Sequence, residues 1–427
     1  MRILSFTGGA GTMYCGSCLR DNALAAALLS RGHDVVLTPV YTPTRTDERN
    51  VSQDQVFFGG ISVFLEQHSS LFRHTPKFLD KLWDSDWALR LATRRQIKVD
   101  PKSLGELTVS MLRGERGFQK KEITKLLDWL RTERFDVVNL PYTLLLGLAE
   151  PIKRTLGAPI CCTLQGEDLF LDGLGEPYRQ QSLDLIRESA PHVDAFLPVS
   201  QYYADYMPGY LGLPASKMRL APLGINLEGF VAKPPKRQGT FTIGYFARVA
   251  PEKGLHALCD AYRALRARPG IGPSRLVVAG YLAPEHREYL DSLTRQMREW
   301  GLGDEFEYRG EVDRADKIAF LHTLDVLSVP ATYHEPKGIF LMEAMAAGVP
   351  VVQPRHGAFP EIIEKTGGGL LVQPGSAEAL ADGLLAIWND PALGASLAAA
   401  GAAGVREHYS VDRMADTVEG IYRGLVE

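Results

Sequence analysis

Two carboxylates, Glu335 and Glu343, stand with seven residues between them in the segment His334-Glu335-Pro336-Lys337-Gly338-Ile339-Phe340-Leu341-Met342-Glu343. Gly338 opens a helix-compatible apolar run that ends at Gly348, and Glu335-Pro336 before it reads as extended chain or turn. The first amides of such a helix lack an intrahelical acceptor and lie at the positive end of its dipole. A glycine at that point lets a phosphate or a polarised hydroxyl come close. The flanking carboxylates repel phosphate and accept hydrogen bonds from hydroxyls. A ligand carrying both kinds of group, as a sugar nucleotide does, satisfies the pattern. Upstream, Gly244-Tyr245-Phe246-Ala247-Arg248-Val249-Ala250-Pro251-Glu252-Lys253-Gly254 puts an arginine and a lysine on the segment leaving an apolar strand. The arginine fork and the lysine point charge together can hold a diphosphate.

These side chains need a scaffold, and the hydrophobic pattern supplies one. Short apolar runs alternate with helix-periodic stretches, the pattern of parallel sheets covered by helices. Strands are predicted at residues 2–7, 34–39, 136–140, 159–164, 195–199 and 219–222, with a helix over about 20–31. A polar, proline-rich break follows at 231–239. The pattern then restarts, with strands at 240–247, 274–279, 306–309, 325–330, 350–354 and 369–372. The expected fold is α/β, two doubly wound Rossmann-like domains facing across a cleft, with ligands outside the carboxyl ends of the strands. Residues 1–230 form the first domain, with an insertion over about 47–125. Residues 240–407 form the second, and 408–427 a terminal helix crossing back.

The chain has 427 residues, 45% of them apolar, and a net charge of −4, which argues against an obligate nucleic-acid binder. The start, Met1 to Thr7, runs into glycines after an apolar stretch too short for a signal peptide, and no run reaches membrane-spanning length. Five cysteines do not make a secreted disulfide framework, so the expected setting is cytoplasmic. The insertion carries Trp83, Trp87 and an excess of cations such as Arg73, Lys77, Arg94, Arg113, Arg116 and Lys125. That excess is either a solvated face or a peripheral contact with a membrane or an anionic acceptor. Cys15-Gly16-Ser17-Cys18 has the spacing of a redox pair or half a metal site. The reading adopted is small residues packed in a glycine loop, with Gly16 as the functional element. The histidines, among them His68, His74, His334 and His356, show no metal spacing.

Taken together, these pieces resemble retaining glycosyltransferases of the GT-B fold, family 4, similar to glycogen and sucrose synthase-like enzymes. The resemblance rests on Gly8-Gly9 with Gly16, the helix end Arg31-Gly32-His33-Asp34-Val35, Leu197-Pro198-Val199-Ser200 and Pro222-Leu223-Gly224-Ile225-Asn226. In the second half it rests on Arg248 with Lys253, Gly310-Glu311-Val312, the Glu335 and Glu343 pair, and Ala347-Gly348-Val349-Pro350-Val351-Val352. It implies a hexosyltransferase that uses a nucleoside diphosphate sugar, UDP-sugar favoured and ADP or GDP open, and needs no cofactor or divalent metal. Arg248 and Lys253 would bind the diphosphate. Glu335, with the amides of Gly338, Ile339 and Phe340, would hold the sugar, and Glu343 the ribose. Gly16 would let the first-domain loop cover the phosphates, and the loop at Gly310 would face the base. Where such enzymes commonly carry a histidine, this chain has Gln165, which cannot titrate; Glu167 and Asp168 stand close by as substitutes. The acceptor is a glycan, a lipid-linked sugar or a small glycoside. Two other classes share parts of the pattern: an NAD-dependent oxidoreductase, disfavoured by the lack of a clean G-x-G-x-x-G, and a silent nucleotide-sugar-binding module.

Overall fold

A computed structural model describes residues 1–9, 14–54, 56–58, 101–233 and 239–427. The tryptophans Trp83 and Trp87, the histidines His68 and His74 and most of the insertion's cations lie outside the described residues. So do residues 234–238 of the predicted linker. The chain divides into two compact units, Met1–Pro222 with Ala415–Glu427, and Leu223–Met414.

The first unit is built on a parallel sheet, β1 (Arg2–Thr7), β2 (Asp34–Pro39), β3 (Val137–Leu140), β4 (Ile160–Leu164) and β5 (Ala195–Pro198), in the order β2-β1-β3-β4-β5. These strands are buried along almost their whole length, which is why they read as unbroken apolar runs. The predicted strand at 219–222 is not one. Its backbone runs beside β5, with the amides of Arg219 and Ala221 donating to Phe196 O and Pro198 O at 2.9 and 3.0 Å, but it forms no ladder. The first helix spans Gly16–Ser30 and so begins ahead of the expected 20–31. Its opening Gly16-Ser17-Cys18 has no apolar periodicity to announce it.

Where the insertion is described, it forms two helices, Pro101–Leu112 and Lys120–Leu130, packed against the helices Tyr178–Ser189 and Ala149–Leu156 respectively. Two of its cations are committed to acids of the same unit, Arg116 to Glu188 at 2.7 Å and Lys125 to the buried Glu122 at 2.6 Å.

The closing helix Val411–Val426 adds its later turns to this unit. Tyr422 is fully buried there, and Glu419 takes Arg31 at 3.3 Å, His33 at 3.2 Å and Arg423 at 2.7 Å. The Arg423 hydrogen bond, with those to His33 and Arg31, outweighs burial and holds the Glu419 carboxyl down at about 2. A carboxylate whose folded pKa is depressed stabilises fully above its ordinary 4.5, and that contribution is lost as pH falls towards about 2. Glu419→Gln is therefore expected to flatten the fall in thermal stability over that interval, followed by circular dichroism. An unchanged acid profile would count against the assignment.

The second unit carries β6 (Phe241–Phe246), β7 (Ser274–Ala279), β8 (Phe306–Tyr308), β9 (Val326–Leu327), β10 (Val351–Pro354) and β11 (Gly369–Val372), all parallel, in the order β11-β10-β9-β6-β7-β8. From β6 the sheet grows one way through β7 and β8, and the other way through β9, β10 and β11. The order reverses between β6 and β9, and the crevice at their carboxyl ends is where such a sheet takes a ligand. Among the described residues no helix is long and apolar enough to cross a membrane.

Candidate active site

Lys253 and Glu335 meet at that reversal point. Lys253 closes a 3-10 turn, Pro251–Lys253, after β6, and Glu335 lies on the segment after β9. The amide of Thr332 donates to Glu252 O at 2.9 Å and ties the two segments together. The Lys253 ammonium pairs with Glu335 Oε2 and donates to the Tyr333 hydroxyl at 2.7 Å, while that hydroxyl donates to the same carboxylate oxygen. The other oxygen, Glu335 Oε1, accepts from the amide of Lys337 at 3.1 Å. Lys253 also lies 4.9 Å from the centre of the Tyr333 ring and 5.8 Å from that of Phe340, where its charge meets the negative faces of the rings.

Burial pushes the Glu335 carboxyl up, but Lys253, Lys337 and the Tyr333 hydrogen bond pull it down to about 2, so it is an anion at neutral pH. Burial lowers the Lys253 pKa, against the pull of Glu335. Sequence reasoning assigns these two residues to different parts of a ligand; the structure couples them into one ion pair. It does not find Tyr333, because a tyrosine close before a proline carries no signal of its own.

Gly338 stands at the N-cap of the helix Ile339–Ala346 with φ +62°. Glycine reaches that left-handed conformation without a side-chain penalty, and the first amides of the helix, those of Ile339 and Phe340, lack an intrahelical acceptor. Glu343 faces into the unit from the same helix and accepts from Lys317 Nζ at 2.6 Å; Lys317 and Glu343 are only 4% and 7% exposed. Lys317 sits on the helix Arg314–Leu321, capped by Asp313, which accepts from the amide of Asp316 at 2.9 Å. Each carboxylate of the pair thus has its own lysine, and these lysines are distant in sequence, so spacing does not reveal them.

Arg248, on the same segment as Lys253, pairs with Glu252 and keeps 38% of its side chain exposed. It is the more accessible of the two expected phosphate cations. Gly310 follows β8, and its carbonyl accepts from the amide of Gly280 at 2.8 Å. His334, next to Glu335 in the chain, lines a different hollow. With His256, Asp260, Thr332 and His356 it borders a cavity of about 400 Å³ at the carboxyl ends of β9, β10 and β11. Its ring lies 5.2 Å from that of His356, which burial and His334 keep below the ordinary imidazole pKa.

The remaining candidates belong to the first unit. Gly16 is the first residue of its helix. Gln165 follows β4 and is 3% exposed. Its Nε2 donates to Pro141 O at 2.8 Å, while its Oε1 is buried without a hydrogen-bond partner, an acceptor still able to take a hydroxyl. The two expected substitutes are already engaged. Glu167 accepts from the Gln165 amide at 2.8 Å and from Thr143 N and Oγ1 at 3.3 Å, and Asp168 accepts from the Tyr203 hydroxyl at 2.6 Å.

Comparison with known proteins gives this geometry a family. The model of Glycosyltransferase Family 4 matches residues 106–228, and that of Glycosyl transferases group 1 matches residues 228–403. A protein of Escherichia coli strain K12 named as a colanic acid biosynthesis glycosyltransferase, WcaL, is 31% identical over 45% of this chain and 47% of its own length. The likeness thus spans about half of that relative. A Mycobacterium tuberculosis protein named GDP-mannose-dependent alpha-(1-6)-phosphatidylinositol monomannoside mannosyltransferase is 26% identical over 65% of this chain and 73% of its own. Among solved structures, a sucrose-phosphate synthase from Thermosynechococcus elongatus superposes with a TM-score of 0.72 over 99% of this chain and 98% of its own, at 18% identity, a likeness of fold. With two family models meeting at residue 228 and running together from 106 to 403, and with both sheets in place, the chain belongs to the family 4, group 1 glycosyltransferases of the GT-B fold.

Proposed function

We propose that this chain moves a hexose from a nucleoside diphosphate sugar to a hydroxyl acceptor, with retention of anomeric configuration. The observation that carries the reading is the meeting of Lys253, Glu335 and the Gly338 helix start at the β6–β9 reversal point. Arg248 and Lys253 hold the diphosphate and take up the charge that grows as it leaves, an effect strongest where donors are fixed in advance. Glu335 and the amides of Gly338, Ile339 and Phe340 orient the hexose. Glu343, whose Oε1 accepts from Lys317, offers its second oxygen to the ribose hydroxyls, and the Gly310 segment faces the base. Within the first unit, Gly16 leaves room for phosphate at the start of its helix, and the unpartnered Oε1 of Gln165 accepts from a sugar hydroxyl. In a front-face retaining path the leaving phosphate takes the acceptor's proton, so Gln165 has no proton to move.

The family resemblance favours a UDP-sugar, with ADP and GDP open, and the likeness to a protein named as a GDP-mannose-dependent mannosyltransferase supports GDP-mannose as the other candidate. A glycan or lipid-linked hydroxyl is the acceptor class that fits the named relatives. The test is a panel of UDP-, GDP- and ADP-hexoses with saccharide and lipid-linked acceptors, read by mass spectrometry, with the product anomer assigned by NMR. One nucleotide sugar is expected to be consumed and its configuration kept. Binding of NAD instead, donor binding without turnover, or an inverted product would each overturn the reading.

A further inference from the structure

Cys15 and Cys18 bracket the start of the helix Gly16–Ser30, Cys15 at the N-cap with an extended backbone and Cys18 in the first turn. Both are thiols, and their side chains are within hydrogen-bonding reach of each other. Their surroundings differ. Cys15 is half-buried at the N-cap of the helix, where it is open to an incoming disulfide. Cys18 is 2% exposed, and its hydrogen bond to Cys15, burial and the negative charge of Asp21 keep its proton on.

Asp21, one turn further along the helix, is 2% exposed. Its Oδ1 pairs with Arg20 at 3.1 Å, while its Oδ2 has no hydrogen-bond partner. Burial pushes this carboxyl up to about 6, against the pull of Arg20. The buried Thr7 hydroxyl, itself without a well-formed hydrogen bond, lies against both Cys18 and Asp21. The other titratable groups facing Asp21 are Arg20 and Cys15 on the same helix, Tyr142 after β3 and Tyr422 on the closing helix. Burial keeps both tyrosines protonated. Among the described residues no group of three or more His, Cys, Asp or Glu is placed to hold a metal ion. An outer thiol at a helix start, an inner thiol beside it and a buried carboxylate to receive the inner proton are the parts of an exchange centre. Packing alone requires none of this asymmetry.

We propose that Cys15 and Cys18 form a reversible dithiol–disulfide pair whose oxidant is a small-molecule disulfide of the glutathione class. The Cys15 thiolate attacks one sulfur of that disulfide, breaks its S–S bond, expels one thiolate and leaves a mixed disulfide on Cys15. Cys18 gives its proton to Asp21, attacks the Cys15 sulfur and expels the second thiolate. The protein loses two electrons and two protons, and the small disulfide becomes two thiols. Gly16 lies between the two cysteines, so closure constrains the first turn of the helix. If the role proposed above for Gly16 holds, oxidation also lowers sugar transfer.

The test uses the reduced full chain and oxidised glutathione, quenched with acid at intervals and weighed intact. The wild-type chain is expected to lose the mass of two hydrogens and carry no glutathione. Cys18→Ser should retain one glutathione, mapped to Cys15, and Cys15→Ser should take none. Asp21→Asn should slow closure of the mixed disulfide by about tenfold or more without slowing its formation. Cys161, Cys162 and Cys259, each at most 1% exposed, report on folding in every variant, since they react only when the chain opens. A stable glutathione adduct on wild-type Cys15, or no reaction there, would overturn the proposal. Because masses are read without turnover, the result is independent of whether the chain transfers sugar.

Discussion

Lys253→Met is expected to slow sugar transfer by about 10²- to 10³-fold, the loss that follows removal of one preorganised charge-stabilising group. It is also expected to destabilise the protein by about 3 kcal/mol, because it leaves a buried carboxylate without its cation. The Glu335 side chain is 2% exposed and that of Lys253 16%, so neither charge can be left to water. Glu335→Gln should cost a similar amount from the other side. The informative variant is the double one. Methionine fills the lysine's channel and glutamine still accepts from the Tyr333 hydroxyl, so much of the stability lost by either single change should return while transfer stays at background. Urea unfolding and a transfer assay on the four proteins give the coupling directly. Wild-type turnover in Lys253→Met would remove the pair from the reaction, and recovery of transfer in the double variant would reduce it to packing.

Gly254→Ala is expected to destabilise the second unit by about 3–4 kcal/mol and to abolish transfer. Gly254 has φ +75°, where an L side chain costs roughly 1–2 kcal/mol. A Cβ there would also fall 1.9 Å from the carbonyl oxygen of Pro330, against rigid backbone. That carbonyl cannot withdraw cheaply, since Ala331 N is bonded to Val329 O at 2.8 Å and Thr332 N to Glu252 O at 2.9 Å. The two segments must part, and with them Lys253 and Glu335; a displacement of about 1 Å at such a site is worth about 10² in rate. Gly310 serves as the comparison. Its φ is +80°, but no heavy atom lies within 4 Å of the place an alanine methyl would take, so Gly310→Ala should cost only the backbone strain of roughly 1–2 kcal/mol. Thermal melts of the two variants check the difference, and equal losses would contradict the collision argument.

How much of this was legible in the sequence depends on distance along the chain. Strands buried on both faces announce themselves as apolar runs, and most of both sheets can be found that way. The stretch at 219–222 looks the same and fails as a strand because its backbone bonds only intermittently to β5. The glycine helix start at Gly338 and the two glutamates are legible because local spacing defines them. Their lysine partners are not separable in the same way. Lys253 stands out as a phosphate cation, but nothing in the sequence shows that it neutralises Glu335; Lys317, which serves Glu343, has no local signature at all. Gln165 is identified by a departure from a pattern. Its orphan oxygen, and the engagement of Glu167 and Asp168 with Thr143 and Tyr203, are facts of packing that only the folded chain displays.

The division of the chain has a consequence for its biosynthesis. Met1–Pro222 is completed by Ala415–Glu427, so along the chain the second unit is an uninterrupted insert within the first. A ribosome delivers Leu223–Met414 whole before Tyr422 and Glu419 emerge. The second unit therefore has every residue it needs while the first still lacks the tyrosine that packs near Arg20, Asp21 and Cys161. Although it is made first, the amino-terminal unit cannot complete its packing before Ala415–Glu427 has been made, and Tyr422 of that late segment lies near Asp21 in the helix that carries the dithiol.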